Sequence, residues 1–423
     1  MRYTVLSKQE KTSMLSEMNI ENVDTFYGNM YKLINNEQIK IPNHKSEIEV
    51  ESILYNMAMK NLPASKAHCF LGAGCYNHHI PAAVESIIGR SEFLTSYTPY
   101  QPEISQGTLK AMFEFQTSIS RIVGMDISNS SYYDGANSLA SAITMSKSIN
   151  KKNSAVIANT IHPDYIEVAK NYGHSICSMK NPEKQNISCI IVQYPDFHGS
   201  IPNLKNIRKI ADEHSALMIV VVNEIIALGL LPPPIEADIV CGDASSIGIR
   251  NNFGGPHLGI LACKKQYIRK ISGRLCGETK DRIGNTAYTL TLSTREQHIK
   301  REKANSNICT NQALSAIAFT VHISLLGEHG FKKLANINHE KACILADELE
   351  KIPGISVKNT SFFNEFVAEL PTTNVKLLIK KFIKKNIIAG YPIASDRILL
   401  AATELTTNQN IRVFCKALRN KFN

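Results

Sequence analysis

Three apolar runs constrain this chain more than anything else in it: ISCIIVQYP at 187–195, ALMIVVVN at 216–223 and ADIVCGD at 237–243. A strand with one wet face alternates apolar and polar residues, and these runs hardly alternate at all. Such strands must be covered on both faces. The helical pattern LKNIRKIADEH at 204–214 separates the first two, and strands alternating with helices argue for parallel β-α-β units and an α/β domain. Upstream the alternation continues. DGANSLASAITMSKSI predicts a helix opened by a turn, SAVIANT and HSICSM predict short strands, and PDYIEVAKNYG predicts a helix begun by proline and closed by glycine. Before these, TLKAMFEFQTSISRIVGMD predicts an amphipathic helix with Leu109, Met112, Phe113, Ile119, Ile122 and Val123 on its core face.

This pattern divides the chain into three parts. Residues 1–65 read as a helical arm, 66–305 as the large α/β domain, and 306–423 as a long interdomain helix and a smaller α+β domain. A polar loop region, 272–307, ends the large domain. The long helix begins near Ser306, and FFNEFVAELP, NVKLLIKKFIKKN and RILLAA then predict strand, helix and strand before a final helix. A mostly parallel large domain followed by a smaller α+β domain resembles the build of fold-type I pyridoxal phosphate (PLP) transferases, the aspartate aminotransferase-like fold.

Composition excludes several function classes. The formal charge is +10, but the basic residues are spread along the chain with no stripe of interleaved aromatics, so nucleic acid is not an expected partner. No run reaches the ~18 to 20 apolar residues of a membrane helix, and the start lacks a secretory signal, so a cytoplasmic protein with no membrane association is expected. The ten cysteines form no CxxC or zinc-like spacing and read as reduced; no metal is expected.

Five stretches then become specific: FLGAGCYNHHIP, YTPYQPEISQGTLKAMFEFQT, DIVCGDASSIGIRNNFGGPHLG, GRLCGETKD and STREQHIKREKANSNICTNQAL. Together they resemble the P-proteins of the glycine cleavage system, and within them the N-terminal-half subunit of the two-chain form. The resemblance spans nearly all of the chain. It implies glycine decarboxylation through PLP, with the aminomethyl group passed to the lipoyl arm of the H-protein. Such a fold needs an imine-forming lysine and an acid under the pyridine nitrogen. Here the acid position falls on Asn223 and the lysine position on Ser245 or Ser246, and no lysine occurs between Lys209 and Lys264. Lys264 and Lys265 follow the strand LGILAC and are expected at its far end. The chain is therefore expected to bind no cofactor of its own and to depend on a lysine-bearing subunit 2. DGANSLAS resembles the helix N-terminus that cradles a cofactor phosphate, and reads here as a relic.

The resemblance places the loop before the large domain across a subunit interface, at the partner's cofactor. Pro99 and Pro102 stiffen it. Tyr97 and Tyr100 offer phenolic hydrogen bonds, Glu103 offers a carboxylate, and His78 titrates near neutrality. The charged STREQHIKREKANSNICTN segment is either an interface or a solvated face. Two departures from the family stand out. Cys75 occupies a place where a small alanine-like residue is usual, and Leu405 and Thr406 replace basic residues, which weakens an anion site at ATELTTNQ. Two alternatives stay open: an inert scaffold or regulatory subunit, and a self-sufficient PLP enzyme using an unexpected lysine.

Overall fold

A computed structural model of the chain describes residues 5–33, 41–179, 186–304, 306–308, 310–372 and 374–422. Residues 1–4 and 34–40 of the expected arm, and Asn305 and Cys309 of the charged segment, lie outside them. Met1–Asn61 and Leu62–Asn423 are two separate compact units. In the first, helices Lys8–Glu17 and Glu47–Ala58 each start on a capping box, Ser7 with Glu10 and Ser46 with Glu49. The S-x-x-E spacing causes this, because serine and glutamate exchange hydrogen bonds with each other's backbone amide.

The second unit is built on a seven-stranded sheet. In order across it lie Ile127–Ser128, Gly259–Cys263, Ile239–Asp243, Leu217–Val222, Ile187–Gln193, Ser154–Ile157 and Ile176–Ser178. The last five of these pair in parallel, and Gly259–Cys263 runs antiparallel to both of its neighbours. The three apolar runs are buried along their whole length. Met218, Val220 and Val222 face a layer that holds Phe115, Ile119 and Phe319. Leu217, Ile219 and Val221 face the other layer, with Leu139, Ala142 and Ile143 of helix Gly135–Asn150. Two-sided burial is why these runs carry no alternation, and each such Val, Leu or Ile contributes roughly 1.5–3 kcal/mol.

Helix Gln106–Val123 buries Leu109, Met112, Phe115, Gln116, Ile119 and Val123, whereas Phe113 and Ile122 are half-buried. Phe115 is the difference from expectation. The helix has two fronts, the sheet against Phe115, Ile119 and Val123 and Cys276 against Leu109 and Met112. Cys276 belongs to a hairpin, Leu275–Lys280 with Thr286–Thr291, inside the stretch expected to be a polar loop. The long helix starts at Ala313 rather than near Ser306, runs to Glu350 and is interrupted at Gly327. Beyond it a four-stranded sheet orders Ser356–Val357, Glu365–Glu369, Arg397–Ala401 and Tyr391–Pro392.

The segment ahead of the glycine-rich loop is anchored in this smaller sheet's core. His68–Cys69 pairs in parallel with Ile387–Ile388, and Phe70 stacks on Phe414 with ring centroids 4.5 Å apart. From there the chain enters the cleft beside the large sheet. Among the described residues no helix is long and apolar enough to cross a membrane.

Candidate active site

In open α/β sheets ligands bind beyond the carboxyl ends of the parallel strands. Here Leu217–Val222 ends at Asn223 and Glu224, and Ile239–Asp243 leads into Ser245 and Ser246. The Tyr165 hydroxyl donates to Asn223 Oδ1 at 2.7 Å. Ser246 Oγ donates to Glu224 Oε2 at 2.9 Å, and Ser245 Oγ accepts from the Leu258 amide at 2.8 Å. Lys264 Nζ sits 3.3 Å from Asp238 Oδ1. Antiparallel pairing sets Cys263 opposite Ile239, so Lys264 lies at the opposite end of the sheet from Ser245.

The glycine-rich loop lies over these strand ends. Glu365 Oε1 accepts from the Ala73 amide at 2.6 Å, and Oε2 accepts from the Tyr76 hydroxyl at 2.9 Å. Burial lifts the Glu365 carboxyl to about 7 against the pull of these two donors. His162 Nδ1 accepts from the Asp164 amide at 3.2 Å, which assigns the ring proton to Nε2, 3.0 Å from the Ala73 carbonyl. Gly74 has φ +92°, and a Cβ there would stand 2.8 Å from Asn223 Nδ2 and 3.1 Å from His162 Cδ2. Only glycine fits a backbone held this close at that φ.

His78 is a buried link between distant parts of the chain. Its Nε2 is 3.1 Å from Glu224 Oε2 and its Nδ1 2.9 Å from Glu404 Oε2. The His79 amide donates to Glu404 Oε1 at 2.6 Å. Burial pulls the imidazole down, but Glu224 and Glu404 outweigh it and raise it to about 10. The expected near-neutral titration is therefore replaced by that of a buried imidazole raised to about 10. Glu404 also changes the reading of ATELTTNQ, which presents a carboxylate to His78 rather than a site for an anion.

Tyr97, Tyr100 and Glu103 are placed apart from this network. Tyr97 is 72% exposed, with its hydroxyl 3.1 Å from Thr310 Oγ1. Tyr100 is 51% exposed. Arg274 Nη2 donates to its hydroxyl at 3.1 Å, the guanidinium lies 5.5 Å from its ring centroid, and His298 meets it edge-on at 5.6 Å. Glu103 is exposed in a short turn opened by Pro102. In the charged segment Arg295 turns inward, donating to the carbonyls of Leu292 and Gly273 at 3.1 Å, so solvation describes only part of that stretch.

Comparison with known proteins adds a further observation. The profile described as "Glycine cleavage system P-protein" matches residues 1–418. The chain belongs to the glycine cleavage system P-protein family. "Probable glycine dehydrogenase (decarboxylating) subunit 1" of Parvibaculum lavamentivorans is 43% identical over 446 residues, covering 99% of each chain. The protein of that name from Azorhizobium caulinodans is 43% identical over 444 residues, again covering 99% of each. A crystal structure of glycine decarboxylase (P-protein) of the glycine cleavage system, in inhibitor-bound form, superposes with TM-score 0.92 at 34% identity, over 99% of this chain and 100% of that one. An alanine–glyoxylate aminotransferase from Nostoc, at TM-score 0.58 and 13% identity, shares the fold. The architecture is that of the fold-type I PLP enzymes.

Within this P-protein chain the strand-end cleft does not fit PLP. A ring with its nitrogen at Asn223 would meet the loop backbone at Gly74, where even a Cβ would stand 2.8 Å from Asn223 Nδ2. Asn223 offers an amide, with Oδ1 taken by Tyr165 and Nδ2 buried without a partner, not a carboxylate. At the DGANSLAS helix N-terminus, Asp134 accepts from the Asn137 amide at 2.7 Å, so a carboxylate already stands where a phosphate would bind. Sequence reasoning located Asn223, Ser245 and Ser246 but missed Glu224, Glu365, Glu404, His162 and Tyr165. Glu224 was visible as an acid closing an apolar run. Glu365 and Glu404 reach the loop from 292 and 326 residues away, with no local signal.

Proposed function

We propose that this chain is the first subunit of a two-subunit-type glycine decarboxylase and works with a second chain that carries the lysine and PLP. The complex removes the carboxyl group of glycine as carbon dioxide and passes the aminomethyl group to the oxidised lipoyl arm of an H-protein. The carrying observation is the strand-end cleft, which offers an asparagine and two serines in place of an acid and a lysine, with the chain's own loop packed against the asparagine at Gly74. Full-length similarity to relatives named as subunit 1 supports the same reading. The chain's contribution is then the exposed YTPYQPE loop. Pro99 and Pro102 limit the entropy of presenting it, and Arg274 orients the Tyr100 hydroxyl toward a charged group on the partner. His78 acts as a positioning residue that ties the glycine-rich loop to Glu224 and Glu404.

Coexpression with candidate lysine-bearing chains, scored by glycine-dependent carbon dioxide exchange, tests this. Activity is expected only with both chains, and borohydride is expected to fix PLP on the partner alone. In the active complex, Tyr100→Phe or Glu103→Gln is expected to lower turnover at least tenfold, the scale of a lost hydrogen bond to a charged group, roughly 1.5–3 kcal/mol. Near-unchanged turnover for both variants, with assembly intact, would favour the inert-scaffold reading, which the strand-end cleft also suits.

A further inference from the structure

Beside the strand-end cleft a pocket of about 220 Å³ remains, lined among others by Gly74, Cys75, Ser245, Arg250 and His257. Cys75 is the one exposed cysteine among the described residues. Its Sγ lies 3.9 Å from His257 Nε2. On the other side of the same ring, Nδ1 is 3.3 Å from Asp243 Oδ2, and the Asp243 side chain is 6% exposed. Its second oxygen is fixed by the Ser245 amide at 2.8 Å. A buried carboxylate thus orients an imidazole whose far nitrogen faces an accessible thiol. This is the base-and-orienter arrangement that activates nucleophilic cysteines.

We infer that Cys75, with His257 as its acid–base partner and Asp243 as the orienter, is a reactive thiol that undergoes thiol–disulfide exchange with small disulfides. The Cys75 thiolate attacks one sulfur of R–S–S–R, forming a mixed disulfide on Cys75 and breaking the S–S bond. The departing thiolate leaves with the electron pair and takes a proton from the His257 imidazolium. The incoming disulfide is the oxidant, so the exchange balances without another reagent. The pocket is below the ~300 Å³ at which ordinary ligand sites begin, which suits a small capping group rather than an extended ligand.

The surroundings support selectivity at this thiol. Asp243, through its contact with Nδ1, and Cys75 raise the imidazole to about 10, so it is cationic at neutral pH. The other charged or titratable groups around the pair are Arg250 and Tyr76 in the pocket wall and Tyr165, which feels both Asp243 and Cys75. Arg250 is held by Glu85 at 2.6 Å. Burial pushes the thiols of Cys189, Cys241, Cys263, Cys276 and Cys415 upward, away from the reactive form. This site goes beyond the decarboxylase reading and does not rest on it.

The test treats the full-length chain with glutathione disulfide and, in a separate arm, with lipoamide, and follows each cysteine by mass spectrometry. Cys75 is expected to be modified at least tenfold faster than any other cysteine at pH 7 in at least one arm. The faster arm tells a soluble peptide disulfide from a cyclic dithiolane. His257→Gln, which leaves Cys75 in place, is expected to slow the reaction at least tenfold. The pH profile of the wild-type chain covers the case in which that variant fails to fold. An unassisted thiol loses rate about tenfold per unit below its usual ~8.5, whereas the rate of a thiol assisted by His257 is expected to fall less steeply than that from pH 8 to 6. Equal reactivity at another cysteine, an unchanged rate in His257→Gln, or an ordinary thiol profile would each overturn the inference.

Discussion

At the residue scale His78 is the most informative side chain in the molecule, because it holds a charge where burial opposes one. Glu224 and Glu404 make that charge tolerable, and each carboxylate in turn needs it. Removing one partner of such a buried set is more damaging than replacing the whole set. His78→Gln is expected to cost about 3–5 kcal/mol at pH 7, read as a lower urea midpoint. The pH dependence follows from the directions of the shifts. The raised value of His78 makes its contribution complete below the ordinary 6.5, declining as pH rises and gone above about 10. Glu404 is depressed, against its burial, chiefly by His78, so its part is lost as pH falls through its lowered value. The gap between wild type and His78→Gln is therefore expected to shrink from pH 6.5 to pH 10. The sequence shows why only half of this was legible: Asn223 and the serines end apolar runs that announce themselves, while Glu404 becomes a neighbour of His78 only through the tertiary fold.

At the element scale most strands and helices were readable because two-sided burial writes itself into composition. The hairpin was not read, because its faces are half wet and its residues are polar. Its signals were nevertheless present: TAYTLT alternates with period two, and Asp281 closes the turn by accepting from the amides of Ile283 and Asn285 at 2.9 and 2.8 Å. The long helix teaches the converse. The helix continues from Ala313 to Glu350, yet Gly327 within it adopts φ +58° and ψ −175°, a region essentially confined to glycine. A Cβ at Gly327 would meet nothing within 4 Å, so any cost of adding one is conformational rather than steric. Gly327→Ala is expected to destabilise the chain by about 1–3 kcal/mol, measured by chemical denaturation.

At the scale of the whole molecule, the exposed Leu94, Tyr97, Tyr100 and Ile104 concentrate apolar surface on one loop region, a pattern that marks protein contacts. A lysine-bearing partner of the same fold is expected to bury well over ~2,000 Å² with this chain, as obligate interfaces do. Sedimentation of the isolated chain is expected to show self-association that the partner relieves; an indifferent monomer would contradict this. The strand-end cleft carries one more consequence, historical rather than mechanical. With the loop held against Asn223 at Gly74, a reversion at one position does not by itself make a cofactor site. Ser246→Lys is expected to leave the chain without imine absorbance in PLP, and borohydride is expected to trap nothing on the new side chain. Restoring the amine leaves the loop in place, and withdrawing the loop leaves no amine. Neither step is useful alone, so under the proposed two-chain reading selection has no gradient to follow backwards, and dependence on a second chain is a ratchet.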